Sequence, residues 1–160
     1  MRKSHFLILA VLIFTAFGTV SVGAQTGRKS VPAAEVNGTF RHTFTAKKFK
    51  GSSSDVKIWA LGHGKVKVGF DLIYPMIDGH GDLSANTGEA TGEATIVGDT
   101  AVYESKEFGQ CKITIKFVRP GTITVDQEGM DSECGFGHNV SASGTYRKIS
   151  SRKPKFETPN

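Results

Sequence analysis

From Val36 to Lys148 the chain runs in short alternations of apolar and polar residues, broken by Gly, Asp, Asn and Pro, with no convincing 3.6-residue period. The pattern predicts eight strands, at residues 36–45, 55–61, 65–74, 87–97, 100–105, 110–117, 122–127 and 142–149. Phase tests the connections, because paired residues share a face and a slip of one residue reverses it. In "CKITIKFVRPGTITVDQ" the apolar face is Cys111, Ile113, Ile115 and Phe117, then Ile123 and Val125. A three-residue loop, Arg119-Pro120-Gly121, keeps that face together by pairing Phe117 with Ile123 and Val118 with Thr122. In "GEATIVGDTAVYE" a two-residue Gly98-Asp99 turn of type II′ pairs Ile96 with Ala101 and Ala94 with Tyr103. Two hairpins in consistent phase predict an all-β domain: one antiparallel meander of about eight strands, closed or strongly curved into a barrel.

The hairpin "DVKIWALGHGKVKVGFDLIY" is open to two readings. Its second strand buries Val66, Val68, Phe70 and Leu72. A Gly62-His63-Gly64 loop turns Val56, Ile58 and Ala60 to the same core and Trp59 outward beside Lys57. A two-residue loop makes Trp59 and Leu61 core instead. An outward Trp59 marks a candidate partner surface. The echo "TGEATGEA" separates into a small face, Gly88, Ala90, Gly92 and Ala94, and an acidic face carrying Glu89 and Glu93. The small face allows a close approach by another element or a bend. The two carboxylates read as a solvated strand face, since nothing nearby raises one pKa and not the other.

The ends differ from the middle. Residues 1–24 combine Arg2 and Lys3, an apolar run from Phe6 to Phe14, and small residues up to Val22-Gly23-Ala24, which reads as a signal peptide cleaved after Ala24. The competing reading is an uncleaved anchor, with a second half diluted by Thr15, Gly18, Thr19, Ser21 and Gly23. Residues 25–35 read as a disordered lead, 36–149 as the barrel domain and 150–160 as a disordered basic tail. Loss of Arg2 and Lys3 leaves eighteen basic and fifteen acidic side chains, a net +3 in place of +5. That mild charge, without interleaved basic and aromatic residues, argues against nucleic acid as a partner. Export points to a secreted or periplasmic location, with no membrane span after cleavage.

The two cysteines of an exported domain most simply pair. Cys111 opens the sixth predicted strand and Cys134 follows the seventh, so a bond between them clips residues 128–133 to the barrel. Closing such a loop contributes on the order of 3 kcal/mol in the chain-entropy model. Gly135 and Gly137 then allow a sharp return. A catalytic thiol lacks an evident base here, and zinc needs more ligands than Cys134 and His138.

No catalytic, metal or cofactor motif stands out. His42, His63, His80 and His138 lack metal-ligand spacing, and Asp78, His80 and Asp82 read as a polar loop rather than a cation site. Asn37 and Asn139 sit in glycan acceptor patterns. Trp59, His63, His138 and Asn139 are the candidate binding residues.

The stretch "NTGEATGEATIVGDTAVYE…CKITIKF…TVDQEGMDSECGFGHNVSASGTYRK" resembles a group of small exported bacterial β-barrel proteins with a closing cysteine in a Cys-Gly-Phe-Gly context followed by a Gly-Thr-Tyr strand. The shape is similar, more distantly, to calycin-like periplasmic lysozyme inhibitors. The resemblance implies an exported barrel and no catalytic residues. The expected function is a non-enzymatic module that binds a protein or cell-envelope component through its loops, as an inhibitor where the partner is an enzyme. The alternatives are a carrier of a small apolar ligand inside the barrel, and an enzyme with an unrecognised site.

Overall fold

The computed structural model describes residues 30–156, so the expected signal peptide lies outside the described residues. Among the described residues eight strands form a closed barrel: β1 (Gly38–Thr43), β2 (Ser53–Gly62), β3 (Lys65–Ile77), β4 (Leu83–Val97), β5 (Thr100–Ser105), β6 (Cys111–Arg119), β7 (Thr122–Glu128) and β8 (Gly144–Ser150). Each is antiparallel to the next, and β8 pairs back onto β1, with Phe40 opposite Lys148. Closure removes the free sheet edges that an open meander leaves. The inward positions are the apolar ones: Val56 and Ile58 on β2, Val66, Val68, Phe70 and Leu72 on β3, Ile113, Ile115 and Phe117 on β6, Ile123 and Val125 on β7 are all buried.

The turns keep phase by a device that loop length alone does not reveal. At β2–β3 the turn has two residues, His63 and Gly64, at φ 51° and 71°. Lys65 pairs with Gly62, and the register shifts before Ala60 meets Val66, so Leu61 is an extra residue. This bulge preserves the inward set Val56, Ile58 and Ala60 and leaves Trp59 outward, opposite Lys67. The expected three-residue loop is thus a two-residue turn plus a bulge with the same facial outcome. The β6–β7 hairpin repeats the pattern. Phe117 faces Ile123 as expected, but Arg119 rather than Val118 faces Thr122, and Val118 is the extra residue. Gly98-Asp99 joins β4 to β5 with the expected pairs, and the positive φ falls on Gly98 and not on Asp99, as type II′ requires.

The β3–β4 hairpin is longer than the alternation suggests. It continues past Pro75, which pairs with Ala85, to Ile77 and Leu83. Ile73 N–H points towards β2, where it donates to Ser54 Oγ at 3.0 Å. Pro75 shares its parity, and β2 pairing ends at Asp71, so the missing N–H falls where no ladder bond to β2 is required. The small face of β4 is used as expected. A Cβ added at Gly92 would lie 2.6 Å from the Tyr103 ring, and one at Gly88 would lie 2.8 Å from Phe136.

Both expected disordered segments contain ordered parts. Ala33–Val36 is a short helix, α1, and Val36 is buried while Val31 packs against the core. Lys148 reaches under α1 and donates to the Ala34 and Asn37 carbonyls, each at 2.8 Å. Burial pulls its ammonium below the ordinary lysine range, against an opposing pull from Glu35. At the other terminus Ser150 completes β8 opposite Thr39, and residues 151–156 cross the outer wall. The basic tail gains an apolar anchor in Phe156: a Cβ at Gly69 would lie 3.1 Å from the Phe156 ring.

Candidate functional site at the loop end

An antiparallel meander sends alternate connections to opposite ends. The tight turns at 63–64, 98–99 and 120–121 share one end with α1. The longer connections, 44–52, 78–82, 106–110 and 129–143, share the other, called here the loop end.

The connection 129–143 closes that end. Cys111 and Cys134 are bonded, with Cα atoms 4.8 Å apart, and both are buried. Asp131 organises the same turn: its carboxylate accepts the Ser132 N–H at 2.8 Å and the Asn139 N–H at 2.6 Å. These two backbone bonds, Asn139 first, hold the Asp131 carboxyl below the usual carboxylate range. Phe136 then bridges to Gly88, and Gly137 N–H donates to the Thr87 carbonyl at 2.9 Å. Phe136, Val140 and Ala142 all enter the core. The Tyr146 hydroxyl donates to the Ala142 carbonyl at 2.8 Å, and burial pushes that phenol well above its ordinary range. The cysteine therefore belongs to a structural plug, with Gly137 placed for close approach to β4 and Gly135 against Phe108.

Eight-stranded interiors are either filled or hold one small ligand. Here Phe40, Phe70, Tyr103, Phe117, Phe136 and Tyr146 are all buried inside. Phe70 and Tyr103 rings stand 5.5 Å apart, Phe40 and Phe117 rings 6.3 Å. Among the described residues two open grooves lie outside the interior, the first on the outer wall and the second at the loop end. One of about 480 Å³ lies over Glu93, Thr95, Thr100 and Glu104, and one of about 770 Å³ lies beside Cys111, between Glu104, Lys112, Glu128 and Glu133.

The polar groups nearest to chemistry are engaged elsewhere. Register sets His42 opposite Ser54. The His42 Nδ1–H donates to the Thr145 carbonyl at 3.0 Å, and Ser54 Oγ accepts the Ile73 N–H, so no hydrogen bond joins the pair. Asp78 Oδ1 accepts the His80 and Asp82 N–H groups at 2.8 and 3.0 Å, which builds a turn. Among the described residues no group of three or more His, Cys, Asp or Glu side chains is placed to hold a metal.

The four candidate binding residues do not form one site. Trp59 and His63 lie near the turn end on the β2–β3 hairpin, whereas His138 and Asn139 lie at the loop end. His138 is exposed with Nδ1 3.8 Å from Asp131, and Asn139 adopts φ 64°. Asn37 is half-buried as the last residue of α1's cap, and its Oδ1 accepts the Ala60 N–H at 2.6 Å.

Sequence reasoning missed the apolar decoration of the loop end. Tyr74, Ile77 and Leu83 on the projecting β3–β4 ribbon, Phe108 in the β5–β6 connection and Met130 beside the disulfide are 41–64% exposed. The signal was present: each of Ile77, Leu83, Phe108 and Met130 abuts a Gly- or Asp-rich turn, where an apolar residue has no core to reach. Compared with known proteins, the chain matches no family model, no curated protein and no solved structure.

Proposed function

We propose that the protein is an exported, non-enzymatic binding module, secreted or periplasmic, that contacts a protein of the cell envelope through its loop end. One observation carries the reading: Tyr74, Ile77, Leu83, Phe108 and Met130 are exposed at the end where the chain is pinned by the Cys111–Cys134 bond and by the Phe136–Gly88 bridge. Large apolar side chains held on a rigid base are the anchors that protein interfaces use, because little conformational freedom is lost on binding. The buried disulfide fits an oxidising compartment, as export through a cleaved signal at residues 1–24 requires. A carrier of an apolar ligand would need room along the axis, where six aromatic rings are already packed. If the partner is an enzyme, occupation of its cleft by the β3–β4 ribbon would make this protein its inhibitor.

The test is capture from envelope extract on the immobilised protein, with an Ile77→Asp/Leu83→Asp variant beside it. Both positions are exposed and pair with each other at the tip of the β3–β4 ribbon, so the repulsion between the two new carboxylates is confined to that tip, outside the barrel core, and circular dichroism of the variant checks that the barrel is kept. The reading predicts one protein partner retained by the wild type and lost by the variant. Equal capture by both, or a stoichiometric lipid in place of a protein, overturns it.

A further inference from the structure

The outer wall of β2–β4 has a covered stripe far from the loop end. Cross-strand register sets Lys57, Gly69 and Thr91 in one row and Trp59, Lys67 and Glu93 in the next. Residues 153–156, Lys-Pro-Lys-Phe, lie on it. Lys153 Nζ stands 5.7 Å from the Trp59 ring, and Lys67 Nζ stands 5.0 Å from the Phe156 ring. The two contacts are reciprocal: the segment supplies the cation for the wall's aromatic, and the wall supplies the cation for the segment's aromatic. Gly69 makes the seat. It is an outward residue in mid-strand, yet buried, and a Cβ there would press on the Phe156 ring at 3.1 Å while touching Thr91 and Lys57. Gly in a strand interior marks such close approaches.

We propose that this stripe is a docking groove for an extended peptide with a basic residue three positions before an aromatic one, and that residues 153–156 are its resident gate. The occupant's chemistry is read from the segment that already fills the groove: a cation for Trp59, an aromatic ring for the Gly69 notch and Lys67, and Pro154 between them to hold the extended conformation. A partner presenting the same spacing makes the same contacts. The resident has the advantage of attachment. Only residues 151–152 separate it from β8, and so short a tether gives a local concentration on the order of millimolar. A free peptide must compete with that, so the groove is closed to weak ligands until the gate is displaced.

The chain has one tryptophan, so fluorescence reports the groove directly. The full chain is compared with a Lys153→Ala/Phe156→Ala variant, whose gate no longer fits. The probe is a synthetic peptide of residues 151–160, with a scrambled control. The variant's Trp59 emission should shift to longer wavelength. The peptide should bind the variant saturably, reverse the shift, and bind at least tenfold more tightly than it binds the wild type. Adding Gly69→Val to the variant should remove peptide binding, and the scrambled peptide should not bind. Unchanged Trp59 emission on opening the gate, no saturable binding to the variant, or equal affinity for variant and wild type overturns the proposal. None of these outcomes bears on capture through the loop end, since Ile77 and Leu83 are untouched.

Discussion

At the scale of single residues, the most informative positions are those where a side chain is missing. Gly88 and Gly92 have ordinary strand φ values, so their role is steric: one admits Phe136 and the other Tyr103. Gly88→Val should therefore destabilise the barrel by about 1–3 kcal/mol through overpacking. Gly88→Ala combined with Phe136→Ala should cost less than the sum of the two single changes, because each accommodates the other. Urea melts of Gly88→Val, of the two single alanine variants and of their double check this, and simple additivity would remove the direct contact from the explanation. Asp131 carries a pH dependence. Its folded pKa is depressed by the Asn139 and Ser132 N–H groups, so it contributes stability fully above the unfolded carboxylate value of about 4. That contribution is lost as pH falls through the lower folded value. Asp131→Asn should flatten the acid limb of stability measured between about pH 5 and 2, and an unaltered limb would assign acid sensitivity to other carboxylates.

At the scale of elements, the strands and their facing were legible because alternation is a local property that burial on one side enforces. Phe117 opposite Ile123 and Ala94 opposite Tyr103 follow from phase alone. The bulges at Leu61 and Val118 were not legible. They depend on how a two-residue turn meets a twisted pair, and a bulge lets turn length and facing vary independently. Trp59 shows the consequence, since its outward placement survives a two-residue turn. The extension of β3 past Pro75 was hidden for a related reason: whether a proline is tolerated depends on which neighbour its nitrogen faces, and that is set by the end of β2. The disulfide was legible from the count of two cysteines and their places on one hairpin. Cys111→Ser or Cys134→Ser should lower stability by about 2–5 kcal/mol, and the double variant should be no worse than either single one. Denaturant melts check this, and a double variant that loses twice as much would contradict a single shared bond. Asn37→Ala tests α1 as part of the barrel. It strips the Ala60 N–H of its acceptor and should cost about 1–3 kcal/mol, whereas a neutral change in the melt would make α1 peripheral.

At the scale of the whole molecule, a closed meander gives each end and each wall its own set of features. One end is finished by tight turns and α1, held by Lys148. The axis is filled by aromatic rings from five of the strands and from the connection 129–143. The other end carries the long connections and five of the nine exposed large apolar side chains among the described residues, while the other four, Leu61, Val97, Val118 and Ile149, stand singly beside the tight turns and the end of β8; one outer wall carries the terminal segment. Neither the apolar loop end nor that wall was visible in the sequence as a site. The apolar residues beside turns look like ordinary loop residues until several of them meet at one end, and a basic tail looks solvated until Phe156 finds the notch at Gly69.

The central claim is an exported, singly stapled barrel whose interior its own side chains fill, leaving recognition to the surface. A native mass spectrum of the protein recovered from the exported fraction tests it most directly. The expected mass is that of the chain beginning at Gln25, two hydrogens lighter than the fully reduced form, with no non-covalent adduct. A stoichiometric lipid-sized adduct, a mass with both thiols free, or a chain still carrying residues 1–24 would contradict the account.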